Sequence, residues 1–496
     1  MKVKSVLKNV EVVGGDLSVL NGVVSGVKID SRDVKKGDIF IALKGENFNG
    51  NDFAYQALNN GASVVISDSI EGEGVIKVKN ARSAYALISK NFYGRAADKM
   101  KIIGVTGTNG KTTTCHIIAD ILRFAGKKVG VIGTLGATMG DGYKDTGMTT
   151  PDPCLLHKIF KQMRDNGCEY VVMEASAHAL ALNKLDGITF EYGVLTNITE
   201  DHLDFFGDME SYAKAKLRLF QNGQSKNGII CDGVLDEESF SHLDKILFKK
   251  YGFNQDCDIF AEEVKSDILG NQFVCNVGGE KFLVNSPLLG RYNIENLLAG
   301  IAVCKGLGLT ASQIKEGAKS TLPVEGRFNV LKIGKTNVVI DFAHTPDGLE
   351  KVLTTAKELC KQKIVVIFGC GGNRDRKKRP IMGEIASRLA DVVVLTSDNP
   401  RFEKPEEIID EIREGVQGKC VCIADRKEAI EYALKNYSSG HLIIIAGKGG
   451  EKYQDIGGVK IPYNDFDVVA DFFRDKISSQ KIDKNDIYDE NLPEIE

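Results

Sequence analysis

The segment GVTGTNGKTTT, residues 104–114, has the residue types and spacing of a loop that binds phosphate. It lies between an apolar run and a helix-like run, so its backbone N–H groups can contact phosphate oxygens at a helix N-terminus. In such loops the lysine contacts the β- and γ-phosphates and the next hydroxyl binds Mg²⁺. The strict G-x-x-x-x-G-K-[ST] pattern fails, because Val105 replaces the first glycine and the glycine falls at 107. The order strand, loop, Lys-Thr, helix still predicts an ATP site formed by Gly107, Thr108, Asn109, Gly110, Lys111, Thr112 and Thr113.

Two further segments place acidic and histidine side chains after apolar runs that we predict to be strands of the same sheet. VVMEASAHAL contains Glu174 and His178, and TNITEDHLDFF contains Asp201, His202 and Asp204. Mg²⁺ prefers oxygen ligands and keeps positions for phosphate. Each residue alone is more often a surface or loop residue, but their position beside a phosphate loop favours a magnesium site with ligands from Glu174 and His202.

The helix-like run after the second segment carries Lys216, and the residue type allows two interpretations. The ammonium could be a counter-charge to metal-bound phosphate. A partly buried lysine with a lowered pKa could instead react with CO₂ and form a carbamate, which is an anionic metal ligand on a long stem. The sequence pattern alone does not decide between them.

The stretch TSDNPRFEKP, residues 396–405, follows the apolar run ADVVVL and precedes a helix-like run. Loops at the carboxyl ends of strands carry ligands in open α/β sheets. An isolated Asx-Pro turn would more often be structural. GGNRD and AGKGGEKY also follow apolar runs, so the predicted ligand site in this part of the chain comprises Arg374, Asp398, Asn399, Pro400, Arg401, Gly447 and Glu451.

These loops require sheets in which several strands end at one edge. Residues 101–134 have the pattern of a βαβ unit, and apolar runs alternate with helix-like runs from about residue 328 onward. This alternation predicts α/β domains with mostly parallel sheets. The chain is too long for one core, and we place domains at residues 1–98, 99–328 and 329–496, with the acidic tail 481–496 frayed.

Composition excludes several functional classes. The 496 residues include 64 basic and 68 acidic side chains, giving a formal charge of −4 and no electrostatic reason to expect nucleic acid or anionic membranes as partners. The chain has no apolar run of membrane-spanning length and no secretory signal pattern at residues 1–15. The 11 cysteines are scattered without a CxxC pair, which is typical of reduced thiols. We therefore expect a cytoplasmic enzyme without membrane insertion, and a monomer.

Several motifs in order along the chain resemble those of the Mur ligase family, ATP-dependent amide-forming enzymes of peptidoglycan precursor synthesis. They are GTNGKTTT, MEASAHAL, NITEDHLDFFGDMESYAKAK, GRYNIENLLA, EGRF and VIDFAHTPDGL. Within the family, DSR at 30–32 and GCGGNRDRKKRP with DNPR are similar to the MurE type. The resemblance implies a small α/β UDP-binding domain, a central P-loop-type ATPase domain and a C-terminal Rossmann-like domain of dinucleotide-binding type.

The resemblance also implies roles for individual residues. Lys216 would be carbamylated (N6-carboxylysine) and would hold a second Mg²⁺ with Glu174 and His202, beside the Mg²⁺ bound by the Thr112 hydroxyl of the phosphate loop. Asn293 and Arg327 would contact ATP, with Asp341 and His344 closing over it; the implied catalytic residues are Lys111, Lys216, His202, Glu174 and His344. The implied contacts to the UDP-substrate come from Ile29, Ser31, Thr149, Thr150, Ser176 and Lys184.

The implied reaction adds meso-2,6-diaminopimelate to the glutamate carboxylate of UDP-N-acetylmuramoyl-L-alanyl-D-glutamate through an acyl phosphate. A guanidinium binds the distal carboxylate of diaminopimelate best, and Arg401 in DNPR matches the signature of diaminopimelate-adding members. The alternatives are the same reaction with L-lysine, a folylpolyglutamate synthetase-like ligase, and a P-loop kinase or regulatory ATPase that forms no amide bond.

Overall fold

The computed structural model describes residues 1–45, 48–140, 142–241 and 243–479. The tail expected to be frayed lies outside these residues. Three separate sheets and one small hairpin follow each other along the chain. This confirms the predicted α/β fold with three domains. The proposed boundaries at residues 98/99 and 328/329 fall between successive sheets.

The first sheet has five strands in the order β1-β5-β4-β3-β2, and all pairs are parallel except β1 with β5. Its strands are β1 Val12–Gly15, β2 Gly26–Lys28, β3 Asp38–Ile41, β4 Val64–Ser67 and β5 Val75–Val78, and its helices are α1 Val3–Val6, α2 Ala54–Asn59 and α3 Ala81–Phe92. Helix α3 begins where the Asn80 side chain accepts a hydrogen bond from the Ser83 backbone N–H. Its apolar face packs on β3 and β4.

The central sheet has eleven strands in the order β16-β15-β14-β13-β12-β11-β6-β10-β7-β8-β9. The strands are β6 Lys101–Thr106, β7 Val129–Gly133, β8 Gly136–Thr138, β9 Tyr143–Lys144, β10 Tyr170–Glu174, β11 Tyr192–Leu195, β12 Asn227–Cys231, β13 Leu247–Gly252, β14 Ile259–Asp267, β15 Gly270–Val277 and β16 Glu280–Ser286. The helices are α4 Lys111–Phe124, α5 Pro153–Asp165, α6 Ala177–Ala181, α7 Leu203–Phe206, α8 Met209–Leu217, α9 Glu237–Ser241, α10 Arg291–Gly306 and α11 Ala311–Lys319.

Alternating side chains of the central strands bury both faces of the sheet. Ile103 and Val105 of β6 pack with α4 and α10, whereas Ile102 packs with α5 on the other face. The run β14-β13-β12-β11-β6-β10-β7 is parallel throughout. Antiparallel strands extend it at both edges, β15 and β16 next to β14, and β8 and β9 next to β7. The parallel part brings the ends of β6, β10 and β11 to one edge.

The C-terminal sheet has the order β17-β18-β22-β19-β20-β21, parallel except for β17. The strands are β17 Asn329–Ile333, β18 Thr336–Asp341, β19 Lys363–Phe368, β20 Val392–Leu395, β21 Val421–Cys422 and β22 His441–Ala446; β23 Tyr453–Ile456 and β24 Val459–Pro462 form the separate hairpin. Helices α12 Pro346–Leu359, α13 Lys378–Leu389 and α14 Pro405–Arg413 cover one face, and α15 Arg426–Tyr437 and α16 Asp465–Ser479 cover the other.

Short 3-10 turns cover Leu17–Asn21, Ser31–Asp33, Gly50–Phe53, Ala96–Lys99 and Arg218–Phe220.

Within the described part of the chain, every helix lacks the combined length and apolar character needed to cross a bilayer.

Candidate active site

The phosphate loop lies between the end of β6 and the start of α4, and two of its glycines have no space for a side chain. Gly107 has φ +146°, and a Cβ there would lie 1.9 Å from Thr196 Oγ1. Gly110, the N-cap of α4, has φ +84°, and its Cβ would lie 2.5 Å from Asn296 Oδ1. Only glycine allows this backbone path, which leads the loop directly into the N-terminus of α4, the position at which phosphate binds in such loops.

The loop is held by the segment that follows β11. The Asn109 backbone N–H donates to Asn197 Oδ1 at 2.8 Å, and Thr196 Oγ1 donates to the Asn109 carbonyl at 2.6 Å. Lys111 Nζ lies over the loop and donates to the carbonyls of Gly107 at 2.9 Å and Thr108 at 2.8 Å. Burial lowers the pKa of the Lys111 ammonium. The lysine is therefore placed at the concave side of the loop.

Thr112 and Glu174 meet at this edge of the sheet, as the sequence predicted. Thr112 Oγ1 donates to Glu174 Oε1 at 2.9 Å, and the Thr134 backbone N–H donates to the same oxygen at 2.8 Å. Arg327 reaches the pair from the linker before the C-terminal sheet, with Nη2 at 3.1 Å from Thr112 Oγ1. A hydroxyl and a buried carboxylate thus lie together at the N-terminus of α4.

Lys216 lies in α8 with only 1% of its surface exposed. Its Nζ lies 3.9 Å from the centre of the Tyr212 ring. Burial, reinforced by the cation of Lys111, lowers the pKa of the Lys216 ammonium well below its ordinary value. Among the described residues, no carboxylate forms an ion pair with this ammonium. A neutral amine is therefore favoured at this position.

His202 and His344 converge on Asp201 from two domains. Asp201 Oδ2 lies 3.3 Å from His202 Nε2 and 3.8 Å from His344 Nε2, and Asp201 Oδ1 lies 3.6 Å from Lys378 Nζ. Burial lowers the pKa of the His202 ring to about 3. Burial raises the pKa of the Asp201 carboxyl, but the Lys378 ammonium and the two histidines outweigh it and hold that pKa well below the ordinary value.

The donor set is compatible with Mg²⁺. Thr112 Oγ1 and Glu174 supply oxygen ligands, and a carbamate on the buried Lys216 amine would supply more. Groups of three or more His, Cys, Asp or Glu side chains in a metal-binding arrangement do not occur in the described ranges. Glu174 and His202 alone would therefore not complete a magnesium site. Further ligands would have to come from Thr112, from a modified Lys216 or from bound phosphate.

The residues expected to contact the nucleotide line the junction of the central and C-terminal domains. Asn293 Nδ2 donates to the Leu289 carbonyl at 2.6 Å, and the Arg327 guanidinium stacks 4.2 Å from the Phe342 ring. The Asp341 carboxylate accepts from the backbone N–H groups of Phe328 and Ala343, each at 2.7 Å. Asp341 therefore fixes the loop that carries His344.

Three of the predicted UDP-substrate residues cluster beside Glu174. Thr150 Oγ1 donates to the Glu174 carbonyl at 2.8 Å and to Ser176 Oγ at 3.1 Å, and Thr149 Oγ1 lies 3.1 Å from Thr134 Oγ1. Other predicted members lie in neighbouring segments. Lys184 Nζ pairs with Asp152 at 2.7 Å, Ser31 Oγ donates to Gln56 at 3.1 Å, and Ile29 is exposed.

The predicted amino-acid site is assembled from three loops of the C-terminal sheet. A Cβ at Gly371 would lie 2.8 Å from Arg401 Nη1 and 3.7 Å from Arg374 Cγ, so both arginine side chains lie over this glycine. Arg401 Nη1 donates to the Gly372 carbonyl at 2.7 Å. Burial, with the neighbouring Arg374 guanidinium, lowers the pKa of Arg401. The two guanidinium groups thus lie together, and each has one carboxylate nearby: Arg374 Nη1 is 3.8 Å from Asp204 and Arg401 Nε is 3.9 Å from Asp455.

Asp398 is buried beside Gly447, and its Oδ2 has no hydrogen-bond partner among the described residues. Pro400 lies against Gly372 across the same junction. Asn399 Oδ1 accepts from Lys448 Nζ at 2.9 Å, and its Nδ2 donates to Glu451 Oε2 at 3.0 Å. The Glu451 Oε2 atom thus accepts from Asn399 and, at 2.9 Å, from Lys448. Asp398 Oδ2 is an acceptor without a partner in this loop.

Sequence reasoning did not identify several residues that shape the site. Two of them, Lys378 and Lys448, are buried lysines that pair with Asp201 and Glu451. Thr134 holds Glu174, and Thr196 and Asn197 hold the phosphate loop. One sequence signal could have identified three of them: Thr134, Thr196 and Asn197 all follow predicted strands of the sheet that carries the phosphate loop. Their partners are distant in sequence and could not be assigned from it.

Three family models match the chain in order. The Mur ligase family catalytic domain matches residues 23–97, the Mur ligase middle domain matches 105–304, and the Mur ligase glutamate ligase domain matches 326–449.

Curated relatives match nearly the full length. A Clostridium tetani protein named UDP-N-acetylmuramoyl-L-alanyl-D-glutamate--2,6-diaminopimelate ligase is 40% identical over 491 residues, covering 96% of this chain and 100% of the relative. A Syntrophomonas wolfei protein of the same name is 39% identical over 490 residues, covering 96% and 100%.

Solved structures share the fold. A structure of UDP-N-acetylmuramoyl-L-alanyl-D-glutamate--2,6-diaminopimelate ligase has a TM-score of 0.68 and 31% identity, covering 96% of this chain and 99% of the other. MurF from Acinetobacter baumannii has a TM-score of 0.64 at 18% identity, covering 95% and 98%, which shows likeness of fold alone. The ordered domain models and the near-full-length relatives show that this chain belongs to the Mur ligase family.

Proposed function

We propose that the chain is an ATP-dependent ligase that adds meso-2,6-diaminopimelate to the D-glutamate carboxylate of UDP-N-acetylmuramoyl-L-alanyl-D-glutamate, a step in peptidoglycan precursor synthesis. The observation that carries the choice of amino acid is the Arg374–Arg401 pair beside the free carboxylate oxygen of Asp398. Diaminopimelate has a distal carboxylate for the guanidinium groups and ammonium groups for Asp398. The names of the relatives support the same substrates.

The phosphate loop and Lys111 bind the ATP phosphates in this proposal, with Asn293 and Arg327 at the nucleotide. The glutamate carboxylate attacks the γ-phosphate, which gives an acyl phosphate and ADP. The amine of the incoming amino acid then attacks the acyl carbon, and phosphate leaves from a tetrahedral intermediate. Lys111 stabilises charge on the transferred phosphoryl group, and the loops of the C-terminal sheet hold the amine close to the acyl carbon.

Mg²⁺ held by Thr112, Glu174, His202 and a carbamylated Lys216 would neutralise phosphate charge during transfer. Two observations support the carbamate: the Lys216 amine is buried, and its pKa is lowered, so the neutral form that reacts with CO₂ is accessible. Thr149, Thr150 and Ser176 are placed beside Glu174, where the dipeptide end of the UDP-substrate has to reach the phosphate.

The test is a ligation assay with the UDP-dipeptide, ATP and either meso-diaminopimelate or L-lysine. We expect phosphate release only when the UDP-substrate and diaminopimelate are both present, and very poor use of lysine. Lysine lacks the distal carboxylate, so it would offer no anionic partner to the Arg374 and Arg401 guanidinium groups that lie over Gly371. Efficient lysine addition would contradict the assigned amino acid, and phosphate release without either substrate would favour an ATPase that makes no amide bond.

Replacement of Arg401 tests whether this residue contacts diaminopimelate. Arg401→Ala should lower kcat/KM for diaminopimelate by roughly 100-fold or more, because a charged hydrogen-bonded pair is lost, while ATP affinity is retained. Arg388→Ala is the matched control, since Arg388 of α13 forms an exposed pair with Glu350 of α12. Equal effects of the two substitutions would argue against a ligand contact by Arg401.

A further inference from the structure

The hairpin β23–β24, residues 453–462, has an unusual position in the C-terminal domain. None of its residues is buried, and it forms a sheet of its own. An isolated two-stranded hairpin is marginally stable in water. Its place in the fold therefore depends on hydrogen bonds rather than on a core, and those bonds run to the segment 397–401.

The backbone of Arg401 is fixed by this hairpin. The Arg401 N–H donates to the Asp455 carbonyl at 2.9 Å, and the Gly457 N–H donates to the Arg401 carbonyl at 2.7 Å. Arg401 has φ +50°, a left-handed conformation that a non-glycine residue adopts at a cost and keeps only when its surroundings hold it. The two bonds from the hairpin supply that constraint at the residue whose guanidinium faces Gly372.

Side chains extend the contact to the preceding residues. Gln454 Nε2 donates to the Asp398 carbonyl at 2.7 Å and to Ser397 Oγ at 3.4 Å. The Asp455 N–H donates to Asn399 Oδ1 at 2.9 Å. Successive residues of the loop, Asp398, Asn399 and Arg401, therefore each receive at least one bond from the hairpin.

We propose that the hairpin β23–β24 determines amino-acid specificity by fixing the loop 398–401, with Gln454 as a positioning residue. This inference rests on the proposed function, because it concerns the loop that binds the amino acid. The hydrogen bonds described for the hairpin run to residues 397–401 and not to the residues assigned to ATP or the UDP-substrate, so we expect its effect to be confined to the third substrate. Gln454 acts through Asp398 and Arg401.

The experiment compares Gln454→Leu and Gln454→Glu with Lys460→Ala. Both Gln454 variants remove the donor to the Asp398 carbonyl, and the Glu variant keeps the side-chain shape. Lys460 lies on the same hairpin over the Tyr453 ring at 4.1 Å, so its replacement is the matched control. KM is measured for each of the three substrates, with diaminopimelate and L-lysine as competing amino acids, together with amide hydrogen exchange in residues 398–403.

We expect both Gln454 variants to raise KM for diaminopimelate about tenfold, the effect of losing one hydrogen bond to a positioned group. Their preference for diaminopimelate over lysine should fall, the exchange of residues 398–403 should accelerate, and KM for ATP should stay within about twofold. Lys460→Ala should behave as the unmodified protein.

An unchanged KM for diaminopimelate in both Gln454 variants would overturn the inference and leave the proposed function intact. A parallel change in all three KM values with a lowered unfolding temperature would also overturn it, since the role of Gln454 would then be general stability. If the unmodified protein fails to ligate diaminopimelate, the proposed function fails, and the specificity role of the hairpin fails with it.

Discussion

At the scale of single residues, function depends on side chains whose partners are set by the fold. Lys111 contacts two loop carbonyls and has no competing carboxylate partner among the described ion pairs. Its ammonium is therefore free to move to phosphate oxygens. Lys111→Ala should reduce turnover by roughly 100- to 1000-fold, as expected for the loss of one charge-stabilising donor. The measurement is steady-state ligation with circular dichroism to show that the variant is folded.

Lys127→Ala provides the lysine control, because Lys127 forms an exposed pair with Glu169 at 3.7 Å beyond the end of α4. Near-normal ligation by Lys111→Ala would remove Lys111 from the proposed ATP site.

A carbamate on Lys216 would be an anion, whereas an unmodified Lys216 would be a cation, so a substitution that keeps the positive charge distinguishes the two forms. If the carbamate forms, Lys216→Arg keeps a cation and should lose most activity, and the unmodified enzyme should lose activity in CO₂-depleted buffer and regain it with bicarbonate. Lys214→Ala is the control, since Lys214 lies two residues earlier on α8 and pairs with Glu210 on the surface. An active Lys216→Arg variant without bicarbonate dependence would instead identify Lys216 as a counter-charge.

At this scale the sequence predicted the members of the site better than their contacts. The pattern predicts Lys111, Thr112 and Glu174 at one edge because each lies at or just after the end of a strand, and the parallel strands bring them together. Glu451 Oε2 accepts from Asn399 and Lys448, whereas Asp398 Oδ2 has no hydrogen-bond partner among the described residues. Such partners depend on packing between distant segments, and no local pattern encodes them.

At the scale of elements, the path of the phosphate loop depends on glycine and on the segment that follows β11. Gly107→Ala should unfold or displace the loop, because its Cβ would lie 1.9 Å from Thr196 Oγ1 at a backbone φ of +146°. We expect a loss of about 2 kcal/mol or more in the free energy of unfolding and loss of ADP binding. Urea unfolding and calorimetric titration with ADP measure the two effects.

Gly126→Ala is a matched substitution after α4, with φ +78° and no atom within 4 Å of the added Cβ. It should cost only about 1 kcal/mol, the strain of the left-handed backbone, and retain ADP binding. Equal losses of stability in the two variants would show that backbone strain, and not the contact with Thr196, accounts for the destabilisation by Gly107→Ala.

The sequence predicted the βαβ unit at 101–134 and the alternating strands and helices of the C-terminal sheet, because their periodicity is local. It did not predict the antiparallel extension β14–β16. β21 also proved shorter than its apolar run, covering only Val421–Cys422 at the sheet edge. The length of an edge strand depends on how many residues of the neighbouring strand can pair with it, and this number is set by the whole sheet.

At the scale of the whole molecule, polar side chains join the central and C-terminal domains across the proposed site. Asn109 Nδ2 of the phosphate loop donates to Asp347 Oδ2 on α12 at 2.8 Å. Asp201 receives Lys378 from the first turn of α13 and His344 from the loop after β18. The sequence placed these residues in separate motifs, and their pairing depends on how the two domains pack. We expect domain closure on substrate binding to depend on these contacts.

The Asp201–Lys378 pair allows a test of this closure, because the side chains are only 6% and 7% exposed. Asp201→Asn and Lys378→Met each leave one buried charge unpaired and should each cost about 3 kcal/mol, with a larger radius of gyration in solution scattering. The double variant leaves neither charge, so its loss should be smaller than the sum by about 1–3 kcal/mol. Arg388→Met breaks the exposed pair with Glu350 and should leave the stability nearly unchanged. Additive losses without expansion would mean that Asp201 and Lys378 do not hold the domains together, and closure would then depend on the Asn109–Asp347 contact and on bound substrates.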